Sequence, residues 1–143
     1  MELTIGIRGR TLQQTDMYLQ KKTIAVIDDD SAIRQSMERM LSIAGFRVLA
    51  FSSGEEFLAC VATMNAGCAV VDIDLGSMSG LDLARHPDVT AAKIPLIFIS
   101  GTANESIRSC AIALGCIQFL RKPFLPVELL DAIFRATQEP PIP

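Results

Sequence analysis

Five polar side chains close apolar runs at recurring points of this 143-residue sequence. Asp28 and Asp29 follow Ile24-Ala-Val-Ile27, and Asp72 follows Cys68-Ala-Val-Val71. Ser100 follows Ile97-Phe-Ile99, and Lys122 follows Phe119-Leu-Arg121. If these run ends meet, three carboxylates, a hydroxyl and an ammonium share one crevice. Like charges about 4 Å apart repel by on the order of 4 kcal/mol at an effective dielectric of ~20, more than one lysine relieves. A hard divalent cation relieves it, and oxygen-only ligands with open water positions suit Mg²⁺. A carboxylate beside a metal and a lysine is suited to receive a phosphoryl group, because both cations neutralise oxygens that gain charge during in-line transfer. Ser100 can donate a hydrogen bond to the phosphoryl once it is attached.

The elements that must bring these residues together are legible in the hydrophobic period. Short, apolar, β-branched runs at 23–27, 46–51, 68–73, 95–99 and 117–120 read as strands, several buried on both faces. Between them lie helical patterns. Ser31 is the expected N-cap of the first, whose apolar residues Ile33, Met37, Met40 and Leu41 share one face. Ser53 with Glu56, and Thr102 with Glu105, have capping-box spacing. The first of these pairs leads a helix to about Met64, the second a helix ending near Gly115. A short helix starts at Gly80, and the last spans 126–137 with Pro126 in its first turn. Five strands alternating with five helices give a parallel sheet covered on both faces, with right-handed crossovers. The expected fold is therefore α/β: a flavodoxin-like (βα)5 three-layer sandwich of strand order 2-1-3-4-5. In that order the first and third strands are neighbours at the switch point, where such sheets bind ligands.

Residues 22–138 read as one domain. Residues 1–21 have no firm period and read as a weakly ordered extension, of which 1–16 should be dispensable. Residues 139–143 form a proline-rich tail. The net charge of -3 argues against direct nucleic-acid binding. No apolar run reaches membrane-spanning length and the first residues lack a signal-peptide core, so the expected location is cytoplasmic. Cys60, Cys68, Cys110 and Cys116 lack metal-ligand spacing and are expected to be small buried residues.

Four segments carry a resemblance to response-regulator receiver domains of two-component signalling, nearest the FixJ-type subgroup. Ile24-Ala-Val-Ile-Asp-Asp-Asp30 resembles their acidic strand end. Asp72-Ile-Asp-Leu-Gly-Ser-Met-Ser-Gly80 resembles the phosphoacceptor loop, with its glycine eight residues on. Phe98-Ile-Ser-Gly-Thr102 resembles the strand bearing the switch hydroxyl, and Phe119-Leu-Arg-Lys-Pro-Phe124 the strand bearing the lysine. The likeness covers residues 22–137 in register. It implies that Asp72 becomes the aspartyl phosphate, and that Asp29 is the direct Mg²⁺ ligand. Asp28 acts mainly through bound water, and the Asp74 backbone carbonyl completes the protein ligands. Ser100 is the switch hydroxyl and Phe119 the switch aromatic. Lys122 pairs with Asp72 and then with the phosphoryl group, and Lys122–Pro123 is a cis peptide. The implied phosphodonor is a sensor histidine kinase or phosphotransfer protein. The implied output is a downstream protein target, or a self-dimer, on the face of the fourth helix, fifth strand and fifth helix. Such a domain phosphorylates and dephosphorylates itself and is not a turnover enzyme.

Gly76 stands where that family usually has proline, and Asp74 adds a carboxylate two residues past the acceptor. Asp72-Ile-Asp74 also resembles the D-x-D motif of haloacid-dehalogenase-type phosphatases, although their acidic pair comes late in the chain and here it comes first. A third reading is the receiver fragment of a longer DNA-binding regulator. Strand-end aspartates also cap helices, which accounts for Asp30 but not for Asp72 and Lys122 reaching one crevice.

Overall fold

The computed structural model describes residues 22–102 and 104–138. The expected extension over 1–21, the dispensability of 1–16 and the tail 139–143 lie outside these residues. The elements run β1 (Thr23–Ile27), α1 (Ser31–Ile43), β2 (Arg47–Phe51), α2 (Gly54–Val61), β3 (Cys68–Asp72), α3 (Gly80–Arg85), α4 (Pro87–Ala92), β4 (Leu96–Ser100), α5 (Glu105–Ala113), β5 (Gln118–Arg121) and α6 (Pro126–Thr137). All strand pairs are parallel, and the order is β2-β1-β3-β4-β5, as the sequence predicts.

The period of two along each strand divides the core between two faces. Ile24 and Val26 of β1 pack with Met37 and Leu41 of α1 and with Leu129, Ala132 and Ile133 of α6. Ala25 and Ile27 point the other way, into a cluster with Phe57 and Val61 of α2, Leu81 and Leu83 of α3, Val89 of α4 and Ala111 of α5. All five residues of β3 are buried, as expected of a central strand covered on both faces.

The structure corrects several local expectations. The third helical connection is in two pieces. Pro87 cannot donate to a continuing helix and pushes His86 into extended backbone, so α3 ends there and α4 restarts on Pro87. Asp30, not Ser31, caps α1: its carboxylate accepts the Ala32 and Ile33 amides at 2.9 and 3.2 Å. Asn104, not Thr102, caps α5, accepting from Ser106 and Ile107. Ser53 caps α2 as predicted, but Glu56 reaches back to the Ser52 amide and hydroxyl instead of to Ser53. The helix that Ser53 starts ends at Val61, short of Met64. Of the cysteines only Cys68 is buried, its thiol pushed up to about 12 by desolvation. Cys60 is exposed because it lies on the outer side of α2, whose Phe57 and Val61 face the core.

Candidate phosphoryl-transfer site

The parallel sheet puts the carboxyl ends of β1, β3, β4 and β5 on one edge. Ile27 pairs with Val71, so the next residues, Asp28 and Asp72, stand side by side. Asp72 in turn pairs with Ile99, one residue before Ser100. Ser100 pairs with Arg121, and the following Lys122 amide donates to the Ser100 carbonyl at 2.8 Å. The Lys122–Pro123 peptide is cis.

Asp28, Asp72 and Ser100 are the buried polar residues of the described chain. The Lys122 Nζ donates to Asp72 Oδ2 at 3.0 Å and to Asp28 Oδ2 at 3.2 Å. The lysine therefore bridges two carboxylates, where the sequence reading gave it Asp72 alone. The remaining oxygens are anchored by backbone: Asp28 Oδ1 accepts the Asp30 amide at 2.9 Å, and Asp72 Oδ1 the Asp74 amide at 3.1 Å. Carboxylate oxygens of Asp28, exposed Asp29 and Asp72 all lie within 4.8 Å of one another.

This arrangement is short of positive charge. Burial raises the Asp72 carboxyl above its ordinary range, and the charge of Asp28 adds to that. The Asp74 amide and Lys122 oppose the rise without cancelling it. Burial works against the Lys122 ammonium, but its hydrogen bond to Asp72 and the charges of Asp72 and Asp28 outweigh that and raise it. Lys122 is thus held protonated while Asp72 still lacks compensation. An oxygen-only cluster with this deficit fits a hard cation in its open mouth.

The other expected residues sit around this centre. Asp74 is exposed at the rim, and its backbone forms an antiparallel bridge with Ser79. Ser100 Oγ accepts the Thr102 amide at 3.1 Å and lies 3.3 Å from the Thr102 carbonyl oxygen, to which it can donate. Phe119 pairs in register with Phe98 and is buried in the same cluster as Ala111, against which Ile107 packs. Because the ring is already inside, any movement open to it is a repacking within the core and not an entry from solvent. Arg34 was missed by the sequence reading: its Nη1 donates to the Asp28 carbonyl at 2.8 Å and ties α1 to the acidic strand end. Its signal in sequence is weak, a single arginine six residues past Asp28 on a helix whose other partners lie elsewhere in the chain.

The sequence matches the response regulator receiver domain profile over residues 24–134. It is 37% identical over 130 residues to the response regulator protein TmoT of Ectopseudomonas mendocina, a match spanning 91% of this chain and 59% of that protein. It is 33% identical over 116 residues to the transcriptional regulatory protein FixJ of Rhizobium meliloti, spanning 81% of this chain and 57% of that one. The crystal structure of FixJ-N superposes with a TM-score of 0.76 at 33% identity, covering 82% of this chain and 94% of that one. The chain spans little more than half the length of the curated relatives it matches. The D-x-D phosphatase reading is not supported: the profile match is to receivers, and Asp74 engages Asp72 through its amide while its side chain is exposed.

Proposed function

This chain belongs to the response regulator receiver domain family, and we propose that in it Asp72 accepts a phosphoryl group from the phosphohistidine of a sensor kinase or phosphotransfer protein. The observation that carries this is the Lys122 Nζ 3.0 Å from a buried Asp72 carboxylate that is otherwise under-compensated. Asp29 would hold Mg²⁺ directly, with Asp72, the Asp74 carbonyl and, mainly through water, Asp28. When bound, the ion neutralises oxygens of the transferring phosphoryl group. In the transfer, an Asp72 oxygen forms the new O–P bond while the donor's N–P bond breaks and the imidazole leaves and takes up a proton. Lys122 moves from the Asp72 oxygen to a phosphoryl oxygen and keeps its hold on Asp28. Ser100 exchanges its Thr102 partner for another phosphoryl oxygen. Attack of water on the phosphorus then breaks the O–P bond, releasing inorganic phosphate and returning the free carboxylate.

The output would pass to a downstream protein, or to a second copy, through the face of α5, β5 and α6; Ile112 of α5 and Phe134 of α6 are exposed apolar residues. Among the described residues no helix is long and apolar enough to cross a membrane. The test is titration with Mg²⁺ and then beryllofluoride. Binding of the phosphoryl mimic only in the presence of Mg²⁺, and its loss in Asp29→Asn, is the expected result. Equal binding without Mg²⁺, or no effect of Asp29→Asn, would contradict the site.

A further inference from the structure

The loop from Asp74 to Ser79 is tied to the acidic centre by the Asp74 amide, which donates to Asp72 Oδ1 at 3.1 Å, yet Gly76 within it has φ +79°, in the left-handed region that glycine adopts freely. Two of the loop's contacts fall on the first turn of α2. Ser77 Oγ donates to Glu55 Oε1 at 3.0 Å, across 22 residues of sequence. Next to it, a Cβ on Gly54 would lie 2.8 Å from Met78 Sδ, so the absence of a side chain there lets Met78 sit close against the start of the helix. Ser77 also helps hold the Glu55 carboxyl below its ordinary range, after Glu55's own backbone amide, so the carboxylate form is the one engaged. The far side of the loop abuts the centre: a Cβ on Gly76 would be 3.9 Å from Asp29 Oδ2.

We propose that Glu55 and Ser77 are positioning residues: their hydrogen bond latches the acceptor loop to α2 and so fixes how the loop meets Asp29. The consequence for metal binding rests on the assignment of Asp29 and Asp74 above; the latch itself does not. An ordered loop has already lost the conformational freedom that a loose one surrenders when an ion is bound, so breaking the latch weakens binding without touching a ligand.

The test uses Ser77→Ala, Glu55→Ala, their combination and Glu55→Gln, each checked for an unchanged melting temperature. In metal-free protein, amide exchange at Gly76, Ser77 and Met78 should rise by about two- to tenfold in both alanine variants, the range of one hydrogen bond. The double variant should match the singles, since both break the same bond. Glu55→Gln retains an acceptor oxygen and should exchange like the parent. Calorimetric Mg²⁺ affinity should fall by a similar factor in the alanine variants and recover in Glu55→Gln. Unchanged loop exchange in the alanine variants overturns the latch, as does a double variant equal to the product of the singles. Glu55→Gln behaving like Glu55→Ala also overturns it, since charge and not the hydrogen bond would then be responsible. Faster exchange with parental Mg²⁺ affinity overturns the link between loop and centre. A parent that binds no Mg²⁺ defeats the metal assignment, while the metal-free exchange still decides the latch.

Discussion

Gly80 lies directly against the backbone of Asp72: its amide donates to the Ile73 carbonyl at 2.8 Å, and any Cβ placed on it would collide with the Asp72 carbonyl oxygen. The same Cβ would be 3.0 Å from both Ile73 Cα and Val71 Cγ1. The glycine eight residues past Asp72 is therefore required by space at the end of β3.

Gly80→Ala should destabilise the fold by about 1–3 kcal/mol, the cost of overpacking against atoms that cannot move aside. Urea denaturation measures this. Parental stability would mean that the end of β3 yields more easily than its burial implies.

The Lys122 bridge predicts an alkaline signature. A group whose folded pKa is raised contributes stability that is fully present below its unfolded pKa and is lost as pH rises through the folded value. Lys122 is raised by Asp72 and Asp28, so the parent should lose stability at strongly alkaline pH, and Lys122→Met should lack that phase. At neutral pH, Lys122→Met should cost about 2–4 kcal/mol, discounted from a fully buried pair because the lysine side chain remains 21% exposed. Denaturation across this pH range in both proteins checks the sign.

Asp72 behaves in the opposite sense from a salt-bridged carboxylate. Its raised pKa, from burial first and then from Asp28, means the folded protein holds that proton more tightly than the unfolded chain does. Stability is therefore lost as pH climbs from the ordinary carboxylate value through the folded one. In metal-free protein at neutral pH, Asp72→Asn should raise the melting temperature by about 2–6 °C. Added Mg²⁺ should narrow that gap by stabilising the parent. A lower melting temperature for Asp72→Asn would show that the Lys122 pair outweighs the cost of burial.

Sheet order and the convergence of Asp28, Asp29, Asp72, Ser100 and Lys122 were legible because both follow from where apolar runs stop. In a parallel sheet every run stops on the same edge. The caps were less legible, since Asp30 and Ser31, or Thr102 and Asn104, are chemically equivalent choices that only the backbone path decides. The split at His86–Pro87 was signalled by the proline itself. The contacts of Arg34 with Asp28 and of Ser77 with Glu55 were not legible. Each joins polar residues of unremarkable type across a distance that only folding closes.

Switching can be separated from phosphorylation at Ser100. A bound group shifts a conformational equilibrium only through interactions that differ between states, and the Ser100 hydroxyl, now engaged with Thr102, is the proposed source of that difference. Ser100→Ala should still take the phosphoryl mimic, but with smaller amide shifts around Ile107, Phe119 and Leu129. Identical shifts in both proteins would place the switch elsewhere.

The most direct measurement is intact-mass spectrometry after incubation with Mg²⁺ and acetyl phosphate. The parent should gain one phosphoryl group and Asp72→Asn none, because Asp72, the last residue of β3 beside the strand of Ser100, meets both the acidic cluster and Lys122. Equal phosphoryl incorporation in Asp72→Asn would contradict the account.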